Sequence, residues 1–112
     1  DAEPDLNYIC GKVVGLRVFD DENEIPNLSV EDVGGSVLLI SQFTLCADAR
    51  KGRRPSYIKA ARPEIAIPLY EAAIARIAKS VPVATGQFQA NMKVRLVNDG
   101  PHTILLDSKK VF

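Results

Sequence analysis

The chain has 112 residues, with 14 basic and 14 acidic side chains and a hydrophobic share of 46%. That is one domain, residues 1–112, long enough for a modest core and too apolar to be an intrinsically disordered chain. No apolar run approaches the ~20 residues of a membrane span, no secretory signal is visible, and two cysteines with one histidine argue against a structural zinc site.

Leu6, Ile9, Cys10, Val13 and Leu16 follow helical spacing, so the pattern predicts an amphipathic helix over residues 3–16, weakened at its end by Gly15. Arg17 to Phe19 reads as a short strand, residues 20–27 as a polar loop, and Leu28 to Val30 as another short strand. Gly34-Gly35 then makes a turn. Val37 to Cys46 is the clearest strand signal. It opens on Val37-Leu38-Leu39-Ile40, as a buried central strand would, and then alternates Ser41, Phe43 and Leu45 against Gln42, Thr44 and Cys46. Cys10 and Cys46 sit in apolar surroundings without ligand-like spacing, which predicts buried thiols in a reducing compartment, the cytoplasm.

Residues 63–79 form a second helix, with Pro63 in its first turn and Tyr70, Ile74, Ile77 and Val81 as its apolar stripe. Pro68 removes one hydrogen bond and predicts a bend or restart near Ile67. Residues 85–88 connect to a half-buried strand in which Met92, Val94 and Leu96 alternate with Lys93, Arg95 and Val97. Asn98-Asp99-Gly100-Pro101 breaks that strand, Thr103 to Leu106 forms another, and residues 109–112 are a tail.

Charge is unevenly spread. Residues 1–32 carry nine acids and two bases; residues 33–112 carry five acids and twelve bases. Arg50, Lys51, Arg53, Arg54, Lys59 and Arg62 follow one another without an intervening acid, on a stretch that Gly52 and Pro55 mark as a loop. A polyanion is the natural partner of such a loop, since each neutralised phosphate releases counterions. On charge alone a plain solvated loop stands beside that reading.

Few side chains suggest a reaction. Ser41 and Thr44 are hydroxyls at the end of an apolar strand, but the single His102 is 58 positions from Thr44 and no nucleophile–base spacing is present. Gln42 and the backbone amides near Phe43 and Thr44 suit a different task, donating hydrogen bonds to an oxyanion as an ester is attacked. Gly100 before Pro101 lets the backbone approach a ligand closely, although a plain turn accounts for the pair as well.

Ser41-Gln42-Phe43-Thr44-Leu45, with Asn98-Asp99-Gly100-Pro101, resembles the D-aminoacyl-tRNA deacylase family. The resemblance extends to Leu16–Phe19, Asp32–Gly35, Ala47-Asp48, Arg50–Ser56, Thr85–Phe88 and Asn91-Met92, in family order across essentially the whole chain. It implies an α/β fold, a mainly antiparallel or mixed sheet forming a partial barrel with two packed helices. It implies hydrolysis of the ester of D-aminoacyl-tRNA, or of mischarged glycyl-tRNA, as chirality proofreading, with no metal or cofactor. Ser41, Gln42, Phe43 and Thr44 inherit the catalytic pocket. Gly100, Pro101 and Met92 inherit substrate binding, the Gly-Pro carbonyls across a cis bond leaving no room for an L side chain. Arg50, Lys51, Arg53 and Arg54 are assigned to tRNA. The family is homodimeric, each Gly-Pro loop reaching the partner's site, and its chemistry leans on the RNA 2′-hydroxyl and backbone groups, with Thr44 as a nucleophile the weaker reading. The family also opens with a strand–turn–strand segment that this chain lacks, which predicts an exposed apolar edge and an incomplete core. The alternatives are a non-catalytic nucleic-acid-binding module or a dimerisation module on the same fold.

Overall fold

A computed structural model describes residues 2–112. Helix α1, Glu3–Gly15, starts behind an Ala2 that has no side chain to cap it; the Asp5 carboxylate accepts the Ala2 N–H instead, at 2.8 Å. Leu6 and Cys10 are buried on its inner face, as the helical spacing requires. Helix α2, Pro63–Ala78, runs unbroken through Pro68. The expected restart near Ile67 does not occur; Glu64, whose carbonyl Pro68 leaves without its helical partner, and Pro68 itself are exposed, so that carbonyl is open to solvent.

Strands β1, Phe19–Asp20, and β2, Pro26–Leu28, form an antiparallel pair. The turn between them is built on Asp21. Its carboxylate accepts the Asn23 N–H at 2.8 Å, the Ile25 N–H at 3.1 Å and the Asn27 side-chain amide at 3.3 Å, and these bonds hold its pKa below the usual carboxylate range. Strands β3, Val37–Leu39, and β4, Val83–Thr85, pair in parallel through Val37↔Val83, Leu38↔Ala84 and Leu39↔Thr85, with α2 in the crossover. The α/β class with two packed helices stands, one strand pair being antiparallel and the other parallel; no closed barrel forms among the described residues.

The core lies where α1, α2 and β3–β4 meet: Leu6, Cys10, Val30, Ile77 and Val81 are buried, with Val13, Val37, Leu39, Ala73 and Val83 packed around them. Parts of the predicted strands do not form. The strand from Val37 ends at Leu39 instead of Cys46, because its partner β4 ends at Thr85 and the ladder has nothing further to bond. With one neighbour only among the described residues, β3 is not a buried central strand there, and Leu38 is exposed. Cys46 is correspondingly exposed, against the expectation of two buried thiols, since it closes a surface turn; Cys10 is buried as expected. Residues 92–97 and 103–106 run without ladder partners among the described residues, so their alternating pattern produces no strand and leaves Val94, Leu96, Val97, Ile104 and Leu105 exposed. The radius of gyration, 15.6 Å, exceeds the ~13 Å of a compact domain of this length.

Candidate active site

The chain leaves β3 at Leu39, whose carbonyl accepts the Tyr70 hydroxyl at 2.8 Å. Tyr70 in turn meets Phe88 with ring centroids 5.7 Å apart. This contact pins the end of β3 to α2 and to the loop after β4. From that fixed point Ile40 and Ser41 lead into a single 3-10 turn, Phe43–Cys46. Ser41 and Thr44 are half-buried, whereas Gln42 and Phe43 are exposed.

The turn closes with the Leu45 N–H on the Gln42 carbonyl at 3.2 Å and the Ala47 N–H on the Thr44 carbonyl at 3.1 Å. The N–H groups of Phe43 and Thr44 precede these bonds and donate to no carbonyl or side chain among the described residues. Two adjacent amides of this kind suit an oxyanion. The Thr44 hydroxyl has one partner, the side-chain amide of Gln42. An amide is no base at neutral pH, so this partner does not activate Thr44 as a nucleophile.

Met92 is brought to the same end of β3. A β-carbon built on Gly86 would stand 2.6 Å from the Met92 sulfur and 3.7 Å from Ile40 Cγ2, so the absence of a side chain at Gly86 is what makes room for Met92 there. Gly100 and Pro101 lie on an exposed loop, joined by a cis peptide bond. No hydrogen bond connects them to residues 41–44 among the described residues.

The basic stretch follows the turn. An isolated antiparallel bridge ties Asp48 to Ser56, through N–H···O contacts of 2.7 and 2.9 Å, and closes the loop between them. Gly52 takes a φ of 70° at its tip. Arg50 turns back onto Asp48, Nε to Oδ1 at 2.9 Å and Nη2 to Oδ2 at 2.7 Å, and this fork pulls the Asp48 carboxyl down to about 2. Lys51, Arg53 and Arg54 are exposed and make no ion pair among the described residues. Of the four loop cations, Arg50 therefore has a carboxylate partner and the other three face solvent.

The family model for D-Tyr-tRNA(Tyr) deacylase matches residues 1–107. The chain belongs to this family. Among its members, the D-aminoacyl-tRNA deacylase of Koribacter versatilis (strain Ellin345) is 62% identical over 113 residues, covering 100% of this chain and 76% of that protein. The D-aminoacyl-tRNA deacylase of Flavobacterium psychrophilum is 51% identical over 111 residues, covering 97% of this chain and 74% of that protein. Among solved structures, c-Myc DNA Unwinding Element Binding Protein superposes with a TM-score of 0.84 at 34% identity, over 93% of this chain and 72% of that one.

Two residues outside the deacylase motifs also shape the site, Tyr70 and Tyr57, whose ring meets that of Phe43; Gly86, which makes room for Met92, lies within the Thr85–Phe88 motif. Tyr70 bonds Leu39 from 31 positions away and Tyr57 meets Phe43 from 14, and no local pattern marks such contacts.

Proposed function

We propose that this protein hydrolyses the ester joining a D-amino acid to the 3′ end of tRNA, releasing the free D-amino acid and tRNA as a proofreading step of translation. The family match over residues 1–107 carries this reading. Water adds to the ester carbonyl carbon, and the carbonyl electron pair moves onto oxygen. The free N–H groups of Phe43 and Thr44 receive that charge. Collapse of the intermediate breaks the bond to the ribose oxygen, and the neighbouring 2′-hydroxyl relays to that oxygen the proton given up by the attacking water. Ser41 and Gln42 line the pocket, and Met92 forms a wall of it through its contact at Gly86. Gly100 and Pro101 discriminate D from L substrates.

The proposal includes a homodimer in which the loop of Gly100 and Pro101 completes the partner's site. The exposed apolar residues of the two unpaired segments, such as Val97 at 93% exposed, leave apolar surface for a partner to cover. Arg50, Lys51, Arg53 and Arg54 hold tRNA phosphates. Aminoacyl-tRNA as substrate puts the protein in the cytoplasm; no helix among the described residues is long and apolar enough to cross a membrane. Incubation with D-Tyr-tRNA and L-Tyr-tRNA tests the function: release of D-Tyr alone supports it, and equal release of both, or of neither, refutes it.

A further inference from the structure

We propose that Phe43 and Tyr57 form a stacking platform for the unpaired nucleotide next to the one bearing the ester. The proposal rests on the deacylase reading above and adds a contact to it. The two rings meet edge to face, with centroids 5.3 Å apart and planes at 69°. Such a contact covers one ring face and leaves others open. Phe43 is 51% exposed and Tyr57 39%, beside an Ile58 that is 92% exposed. The oxyanion role uses the Phe43 N–H and leaves its ring unoccupied.

Position and charge select the occupant. Tyr57 follows Ser56, which is bonded to Asp48, and Asp48 also holds Arg50. The aromatic pair is thereby anchored between the turn at residues 41–44 and the basic loop. A strand whose end lies in the pocket and whose phosphates lie on Lys51, Arg53 and Arg54 passes over it. Asp48 is the one acid between residues 33 and 63, and Lys59, two positions after Tyr57, adds another exposed cation. A second copy of this chain would bring the same positive loop against itself. An unpaired nucleotide supplies both a π-face and a phosphate, and so matches the aromatic pair and its flanking cations together.

The test uses an uncharged acceptor-stem hairpin with 2-aminopurine at the penultimate position of its unpaired 3′ end. Binding to the native protein is expected to quench the fluorophore. Tyr57→Phe keeps the quenching. Tyr57→Ala and the bulkier Tyr57→Leu abolish it and weaken binding roughly 5- to 150-fold. With D-Tyr-tRNA, the same two variants raise KM and leave kcat unchanged. Quenching that survives in both variants, or no quenching with the native protein, overturns the proposal. So does a change of oligomeric state in light scattering with RNA affinity unchanged, which makes the pair a contact between copies. Because the hairpin carries no ester, failure of the deacylase reading appears separately, as absence of hydrolysis by the native protein.

Discussion

The sulfur of Met92 occupies the place a side chain on Gly86 would need: a β-carbon there would stand 2.6 Å from it. The contact folds Met92 back onto Gly86 within the segment after β4, and the Gly86 N–H reaches the Leu39 carbonyl at 3.4 Å. Gly86→Ala forces Met92 away. Because Met92 is a flexible side chain, stability should fall by only about 1 kcal/mol. KM for the D-aminoacyl ester should rise more than stability falls. Urea titration beside steady-state kinetics checks both, and an unchanged KM would remove Met92 from the pocket wall.

Tyr70→Phe removes one hydroxyl and nothing else. The Leu39 carbonyl keeps a long contact from the Gly86 N–H at 3.4 Å, so it is not left wholly unpaired. The expected cost is about 0.5–1.5 kcal/mol, read from the midpoint of denaturant unfolding at constant slope.

The Asp48 carboxyl is lowered to about 2, first by the side-chain bonds from Arg50 and then by the Arg50 backbone N–H at 3.1 Å. A carboxyl that is more acidic in the folded state contributes stability that is complete above about 3.9, its unfolded value, and is lost as pH falls through the folded value. The loop clamp should therefore stay intact from neutral pH to about 4 and open towards 2. Carbon-detected NMR titration of the Asp48 carboxyl reports this directly. In Arg50→Gln, the same resonance should titrate at higher pH.

Arg53→Gln with Arg54→Gln should weaken binding of every tRNA alike and leave D-versus-L selectivity unchanged, because phosphate contacts carry no sequence information. The slope of log affinity against log salt should flatten by about 0.7–0.9 for each phosphate that is no longer neutralised. Arg50→Gln should flatten it less, its guanidinium being already forked onto Asp48. An unchanged slope in the double variant would return the loop to a solvated surface.

Both helices are legible in the sequence because a 3.6-residue stripe specifies a buried face without reference to a partner, and Leu6 and Cys10 of α1 and Ile77 of α2 are buried accordingly, while Val81 is buried just past the end of α2. Strands are different. Alternation at Met92–Val97 records two faces but not the neighbour that would supply hydrogen bonds, and without one the segment stays irregular. The strand expected from Val37 is right in kind and too long for the same reason. The restart predicted at Pro68 does not occur because a proline inside a helix leaves only one carbonyl without its partner, and here Glu64 is exposed. In the site, Ser41–Thr44 and the basic loop are readable as contiguous motifs. Tyr57 and Tyr70 are not, because each acts through a contact that the fold, not the local sequence, creates; Gly86 is visible within Thr85–Phe88, but its contact with Met92 is not.

The proposed mechanism stands on cleavage of the ester at backbone amides, with no side-chain nucleophile. Single-turnover hydrolysis of D-Tyr-tRNA by the native protein and by Thr44→Ala, with L-Tyr-tRNA as the control, decides the matter. Both proteins should release D-Tyr at rates within about tenfold of each other and spare the L ester. A fall of several orders of magnitude in Thr44→Ala, with tRNA binding and folding intact, would make Thr44 the nucleophile and overturn the backbone mechanism.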